Sequence, residues 1–430
     1  MTLVCYEQSN RNHCYIIKVR SNAGFTRANK MSDDGDFQNW MKDSMSKIIE
    51  ILGLNADETR YAVTKSTGRF MSVINYVRLQ FKNKKTERAE ELFMILKKPL
   101  QTYPLNDSIT LQFHNEILFY QTYVQPGENY ARCFYVDERP PTDSVIALED
   151  VNKRGYQPCP YTCNAPLEYI LAAMREIGRF HGKGYATKKL HREKFIDIAT
   201  RLREARYFEA ADNPFEIICN VRSTEAIEYL RGRGYDAVFC DKMEPLLKNA
   251  FEEVMMKISE PREPLSTLCH GDFTLDNILF EKKDDGQIRA MLIDFAFLKH
   301  STPVVDLSTF LCLSCSNEIM KDKFHEIIRA YHDALKECLL EAGVWDAEIF
   351  SYEALLDDYK RGALFGYVIA CFYLPTLLGY HKIDEIKERM LHLGVHECMK
   401  QLKYNDEVRK ILADMLLIMK DFGCLKHFAG

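Results

Sequence analysis

Several features that would place this 430-residue chain at once are missing from it. It has no basic run, and a net charge of −5 with a pI near 6.2 removes the field that draws in nucleic acid or an anionic membrane. No membrane span is expected. "ALFGYVIACFYLPTLL" (363–378) is almost purely apolar, but it falls short of the ~20 residues that cross a bilayer and is interrupted by Pro375. It reads instead as a buried core helix, with "SYEALLDDYKRG" as its amphipathic first half. There are 14 cysteines, yet neither Cys159/Cys163 nor Cys312/Cys315 is joined by a second pair or a His cluster at zinc spacing, so both read as packing. The opening residues lack a charged-then-apolar leader, which makes a reducing cytoplasm the expected location. Internal repeats and low-complexity tracts are also absent.

What remains is an ordinary globular composition, 47% apolar and 28% charged, in a chain too long for one growing core, so two domains or lobes are expected. Residues 1–38 read as an extension with little structure. "FQNWMKDSMSKIIEIL" then places Trp40, Met41, Met45, Ile48, Ile49 and Leu52 at helical spacing. Strand-like segments follow at "RYAVTK", "FMSVINYVRLQF" and "ELFMILK". A helix at "NDSITLQFHNEILFYQTYV" is capped by Asn106, Asp107 or Ser108, and strands follow at "ARCFYV" and "SVIALED". Residues 39–150 therefore form a small α+β lobe, and 151–430 a mostly helical one. Within the latter, "NAPLEYILAAMREIGRFHGKGY" carries an apolar stripe that includes His181.

The chemistry gathers in "TLCHGDFTLDNILF". His270-x-Asp272, four residues, then Asn277 is the H-x-D-x-x-x-x-N spacing of kinase catalytic loops. Asp272 can accept or orient a hydroxyl proton, and Asn277 offers a hard carbonyl oxygen suited to Mg²⁺. A second, anionic ligand is then needed. Asp285-Gly286 is a two-residue hairpin signal; centring the turn there pairs 284 with 287, 278 with 293 and Asn277 with Asp294, unless a bulge shifts the register by one. Asp294-Phe295 would then serve as the aspartate of Asp-Phe-Gly.

"LCHGDFTLDNILF", "LIDFAF" and "TPVVDLSTFL", with "FMILKKPL", "NEILFYQTYV", "VIALEDVNKRGY" and "DDYKRGALFGYVIACFYLPTLL", resemble the ecdysteroid-kinase-like, or choline-kinase-like, family of the aminoglycoside phosphotransferase superfamily. The likeness runs from about Phe37 to near the C-terminus. It implies a bilobal protein-kinase-like fold and transfer of the γ-phosphate of ATP to a small hydroxyl compound. It further implies Asp272 as catalytic base beside His270, Asn277 and Asp294 as metal ligands, and Lys97 on the phosphates, with Lys98 as the alternative. Glu116 would pair with that lysine, Glu149 and Val151 would hold adenine through backbone groups, and Asp306 would brace the loop. Gly68 is the lone glycine of the phosphate-covering segment; Thr274 stands where the family has an aromatic, and Ala296 replaces the glycine of Asp-Phe-Gly.

The short span from Asp294 to Asp306, with no Ala-Pro-Glu after it, leaves no room for a protein-substrate platform, and a full set of catalytic residues argues against a pseudokinase binding module. The acceptor pocket is expected among residues 191–262 and the "GYVIACFYL" helix. Tyr207, Phe208, Phe215, Tyr229, Tyr235 and Phe239 there favour a largely apolar alcohol over a choline- or ethanolamine-type one.

Overall fold

Alternation of apolar and polar residues builds the first sheet. In a computed structural model that describes residues 30–68, 72–100, 106–208 and 213–428, β1 (Arg60–Gly68), β2 (Ser72–Lys82), β3 (Ala89–Pro99), β4 (Cys133–Asp137) and β5 (Val145–Glu149) form one sheet in the order β1-β2-β3-β5-β4, with every pair antiparallel. Across one face lies helix α1 (Lys30–Ile51). Trp40, Met41, Met45, Ile48 and Ile49 pack there against Val77, Leu79, Met94, Leu96, Phe134, Val145 and Ala147, as the helical spacing requires. The helix begins at Lys30, within the segment expected to be an extension; residues 1–29 lie outside the described residues.

By contacts the chain divides into two units, Thr2–Thr110 with Ala131–Lys153, and Leu111–Tyr130 with Arg154–Gly430. The second unit is mostly helical. It opens with most of α2 (Asn106–Thr122) and continues through α3 (Leu167–Leu190). Two small sheets interrupt it: β6 (Gln157–Pro158), β8 (Ile278–Lys282) and β9 (Ile288–Leu292) in one, β7 (Thr267–Cys269) and β10 (Lys299–Ser301) in the other. The apolar stretch is indeed a core helix, Leu364–Leu377, whose residues are almost all buried; the amphipathic segment before it is a separate helix, Tyr352–Gly362. Among the described residues no helix is long and apolar enough to cross a membrane, and every described cysteine is free.

The Leu364–Leu377 helix lies directly on the Val304–Ser314 helix, and glycine makes that approach possible. A Cβ on Gly366 would fall 2.1 Å from the Ser308 carbonyl oxygen, and the Gly366 N–H instead donates to Ser308 Oγ at 3.1 Å. Gly366→Ala should therefore push apart two core helices, one of which carries Asp306. Overpacking of this kind costs about 1–3 kcal/mol, expected as a drop of several degrees in Tm by calorimetry. An unchanged Tm would mean the helices are not in contact at this point.

Candidate active site

The turn between β7 and β8 is shaped by backbone requirements before any chemistry. Gly271 has φ +78, and a Cβ there would sit 1.9 Å from the Phe297 carbonyl oxygen, so only glycine fits between His270 and Asp272. The tight bend leaves two adjacent N–H groups without strand partners, and one carboxylate takes both. Asp306 Oδ2 accepts from His270 N at 2.7 Å and Asp306 Oδ1 from Gly271 N at 2.8 Å. Asp306 lies in the first turn of the Val304–Ser314 helix, where the helix dipole favours a carboxylate, and is fully buried. His181 Nε2 reaches the same Oδ2 at 3.0 Å, and its Nδ1 meets Tyr331 Oη at 3.0 Å. Cys269 lies close to this pair, but its thiol donates to the Ser301 carbonyl oxygen at 3.3 Å and burial raises its pKa well above the usual range. His181, Cys269 and Asp306 are each tied into hydrogen bonds with their neighbours.

His270 is itself part of the scaffold. Its Nε2 contacts the Ile293 carbonyl oxygen at 3.0 Å, and Nδ1 accepts from Asp272 N at 3.4 Å, a pattern that calls for the proton on Nε2. Asn277 Nδ2 donates to both Asp272 O and Asp272 Oδ2 at 2.9 Å. Neither bond engages Asn277 Oδ1.

The β8–β9 hairpin departs from the expected register by one residue. Ile278 pairs with Leu292 and Lys282 with Ile288, while Lys283 N donates to Gln287 O and Gly286 N to Lys283 O. The loop thus has three residues, with Gly286 at φ +82, the bulged alternative to the two-residue turn. Asn277 consequently faces Ile293, whose N–H donates to the Asn277 carbonyl at 3.0 Å, and Asp294 stands one residue beyond. Asp294 has φ +65, a left-handed conformation that disfavours a side chain by roughly 1 kcal/mol. Strain of this sort collects at functional sites. Immediately after it, Phe295 stacks on Phe119 of α2 at a ring separation of 3.6 Å, and Asn115 Nδ2 donates to the Ala296 carbonyl at 3.2 Å. Glu116, next to Asn115, is buried.

Arg206 is the residue that pattern reading missed. Its Nη2 is 3.3 Å from Asp272 Oδ1, with both side chains nearly buried. Burial works against ionisation of Asp272, while the Arg206 charge and hydrogen bond favour it. Burial likewise works against the guanidinium, and Asp272 keeps it charged. Of the aromatic residues expected around an acceptor, Tyr207 and Phe215 stand near the Arg206 guanidinium. Tyr235 and Phe239 pack instead on each other and under Lys420. Tyr373, on the Leu364–Leu377 helix, is pushed up to about 12, chiefly by burial, and senses both Arg206 and Asp272.

The remaining expected residues lie in the sheet unit. Lys97 is buried in the central strand, paired with Ile74 and Ile146. Lys98 points to the α1 face, 3.2 Å from Asp143 Oδ1 and over the Trp40 ring. Glu149 ends β5 and Val151 starts a short 3₁₀ turn. Gly68 ends β1; the rest of its loop, 69–71, lies outside the described residues. A cavity of about 720 Å³ opens elsewhere, between α3 and the Asn317–Glu341 helix, and is lined by Arg175, Arg179, Arg329 and Glu337 among others. It is lined by none of the expected site residues.

A loop with His-x-Asp and Asn, followed one hairpin later by Asp-Phe, has the motif order of kinase catalytic loops. Residues 66–344 match the ecdysteroid kinase-like family, and the chain belongs to it. No curated protein matches the chain. Similar solved structures include an ethanolamine kinase from Plasmodium vivax, at 11% identity and a TM-score of 0.40, covering 85% of this chain and 84% of that one. Another is wild-type aminoglycoside 2'-phosphotransferase-IIIa in its GDP complex, at 13% identity and a TM-score of 0.39, covering 83% and 98%.

Asp306→Ala leaves two backbone N–H groups and His181 without their acceptor, and each unmet buried group costs about 1–3 kcal/mol. Denaturant unfolding should show a loss of at least about 3 kcal/mol, with Asp306→Asn in between because it keeps one acceptor oxygen. Equal stability of the Ala variant and the parent protein would remove Asp306 from the role of brace.

Proposed function

We propose that the protein is an ATP-dependent small-molecule kinase that transfers the γ-phosphate of ATP to the hydroxyl of a small, largely apolar alcohol. The observation that carries this reading is the Asp272 carboxylate, held by Asn277 and Arg206 in a loop whose shape Asp306 maintains. Asp272 accepts or orients the proton of the attacking hydroxyl. With both carboxylate oxygens already engaged, orientation is the larger part of that role. His270, with both ring nitrogens turned to backbone, is a positioning residue for Asp272 and the Ile293–Asp294 junction.

Asn277 and Asp294 would hold Mg²⁺. The donor set fits a hard cation, since neither hydrogen bond of Asn277 Nδ2 uses Asn277 Oδ1 and Asp294 supplies the anionic oxygen. When bound, the ion would neutralise phosphate charge. Lys97, buried in the central strand, is assigned to the phosphates, with Lys98, beside Asp143 and Trp40 on the α1 face, as the alternative. Glu116 is assigned to the pairing with Lys97, and backbone groups of Glu149 and Val151 to adenine. Membership in a kinase-like family supports the same reading.

The first test is a screen of alcohols with ATP and Mg²⁺, read by mass spectrometry for phosphorylated product. On an acceptor so identified, Asp272→Asn should keep nucleotide binding while turnover falls by about 10²–10⁴, the usual weight of general base catalysis; near-full turnover would end the assignment of Asp272. Asp294→Ala should abolish the Mg²⁺ dependence of ATP binding in calorimetry. If that dependence persists, the metal ligands lie elsewhere.

A further inference from the structure

The cavity between α3 and the Asn317–Glu341 helix takes no part in the candidate site, and its two walls differ in charge. Glycine brings the helices almost into contact beneath it. A Cβ on Gly178 would fall 2.5 Å from the Tyr331 carbonyl oxygen, and one on Gly182 2.8 Å from Cys338 Cβ. Gly178 meets Tyr331 and Ala334, and Gly182, one turn on, meets Leu335 and Cys338. The two helices therefore run in the same direction, and each position on α3 has a counterpart at the same height on its neighbour.

The floor of the cavity includes Ala330 and Ala334. Arg175 and Arg179 stand on the α3 wall, Asp333 and Glu337 on the other. Arg329 and Lys336 also reach the second wall, but each is held against an aromatic ring, Arg329 over Tyr352 at 4.7 Å and Lys336 over Trp345 at 5.3 Å. Arg179 pairs along its own helix with Glu176 at 3.1 Å, and Asp333 lies 3.6 Å from His332 Nδ1 of its own helix. Among the described residues no ion pair spans the cavity, and Arg175 and Glu337 have no ion-pair partner. Leu340, near the helix end on the same rim, is 54% exposed.

Walls of opposite charge, matched in height, are complementary to themselves under a two-fold axis that runs along the helices. That axis lays α3 of one copy on the Asn317–Glu341 helix of the other. It sets Arg175 against Asp333 and Arg179 against Glu337, each pair occurring twice, with the arginine stems covering the alanines of the floor. A two-fold across the helices would instead oppose arginine to arginine, which is repulsive. A foreign partner would have to supply both charge patterns, whereas a second copy of this chain already carries them.

We infer that this face is the interface of a two-fold dimer, in which α3 of each copy docks on the Asn317–Glu341 helix of the other. Exposed ion pairs contribute little one at a time, so charge sets the register and the dissociation constant is expected on the order of micromolar.

Light scattering on the full chain at about 100 µM, well above such a constant, should give twice the 50.1 kDa of one chain. Raising the salt to about 1 M, where the Debye length falls to ~3 Å, should weaken the dimer several-fold in sedimentation. Arg175→Glu and Asp333→Lys should each weaken it several-fold, and an equimolar mixture of the two variants should restore it, since each then carries the charge that the other lacks. A parent protein that keeps the mass of one chain at that concentration overturns the inference. So does a dimer that both variants leave intact, which would place the interface on another face. A mixture that stays monomeric, while thermal melts show both variants folded, overturns it as well. If a reversal does not fold, Arg175→Gln and Asp333→Asn are read in its place, and a dimer untouched by both has the same consequence.

Discussion

The loop from His270 to Asn277 depends on one carboxylate. Asp306 has two oxygens, and the turn at His270–Gly271 has two N–H groups that no strand can satisfy; the four atoms meet at 2.7 and 2.8 Å. Without that acceptor the bend that presents Asp272 would bury bare donors, a cost the fold could not easily carry. The brace is itself braced. His181 from α3 and Tyr331 from the Asn317–Glu341 helix extend the network, so three helices agree on where the loop sits. Buried networks of this kind give rigidity when complete and fail together when one member is lost.

Asp272 shows how such rigidity bears on chemistry. One oxygen is held by Asn277 and the other by Arg206, so the carboxylate has little freedom to rotate. On the kinase reading, an arriving hydroxyl finds an acceptor that is already aimed. Geometry therefore contributes more here than basicity, as it does where charge is spread over a transferring phosphoryl group.

Much of this was legible in the sequence because the relevant patterns are local. The strands around Lys97 could be read from alternation, and the same alternation separates Lys97 from Lys98, which the structure sets on opposite faces of β3. The hairpin after Asn277 was legible as a hairpin but not in its register. A glycine at positive φ serves both the two-residue and the three-residue loop, and the pairing of Ile293 with Asn277, not the turn, decides between them. The helix at Lys30 lay hidden in "MSDDGDF", whose polar composition resembles that of a loop. Arg206 was not legible at all. Its partner is 66 residues away, its own segment has no period, and an arginine in a sequence resembles any solvated charge until the fold buries it. His181 was read as one member of an apolar stripe, which gives its position but not its bond to Asp306.

The stacking around Phe295 has a pharmacological side. Phe119, Tyr120, Tyr130, Phe180 and His270 surround it, with ring separations from 3.6 to 6.2 Å, and the neighbouring Ala296 is tied to Asn115. In protein kinases the phenylalanine of this segment sets active and inactive states by its packing. Here five rings would have to part before it could leave. A compound designed to trap kinases by expelling this ring would meet a closed aromatic cluster, so inhibitors of this protein are better sought among molecules that accept the segment as it stands and compete beside Asp272.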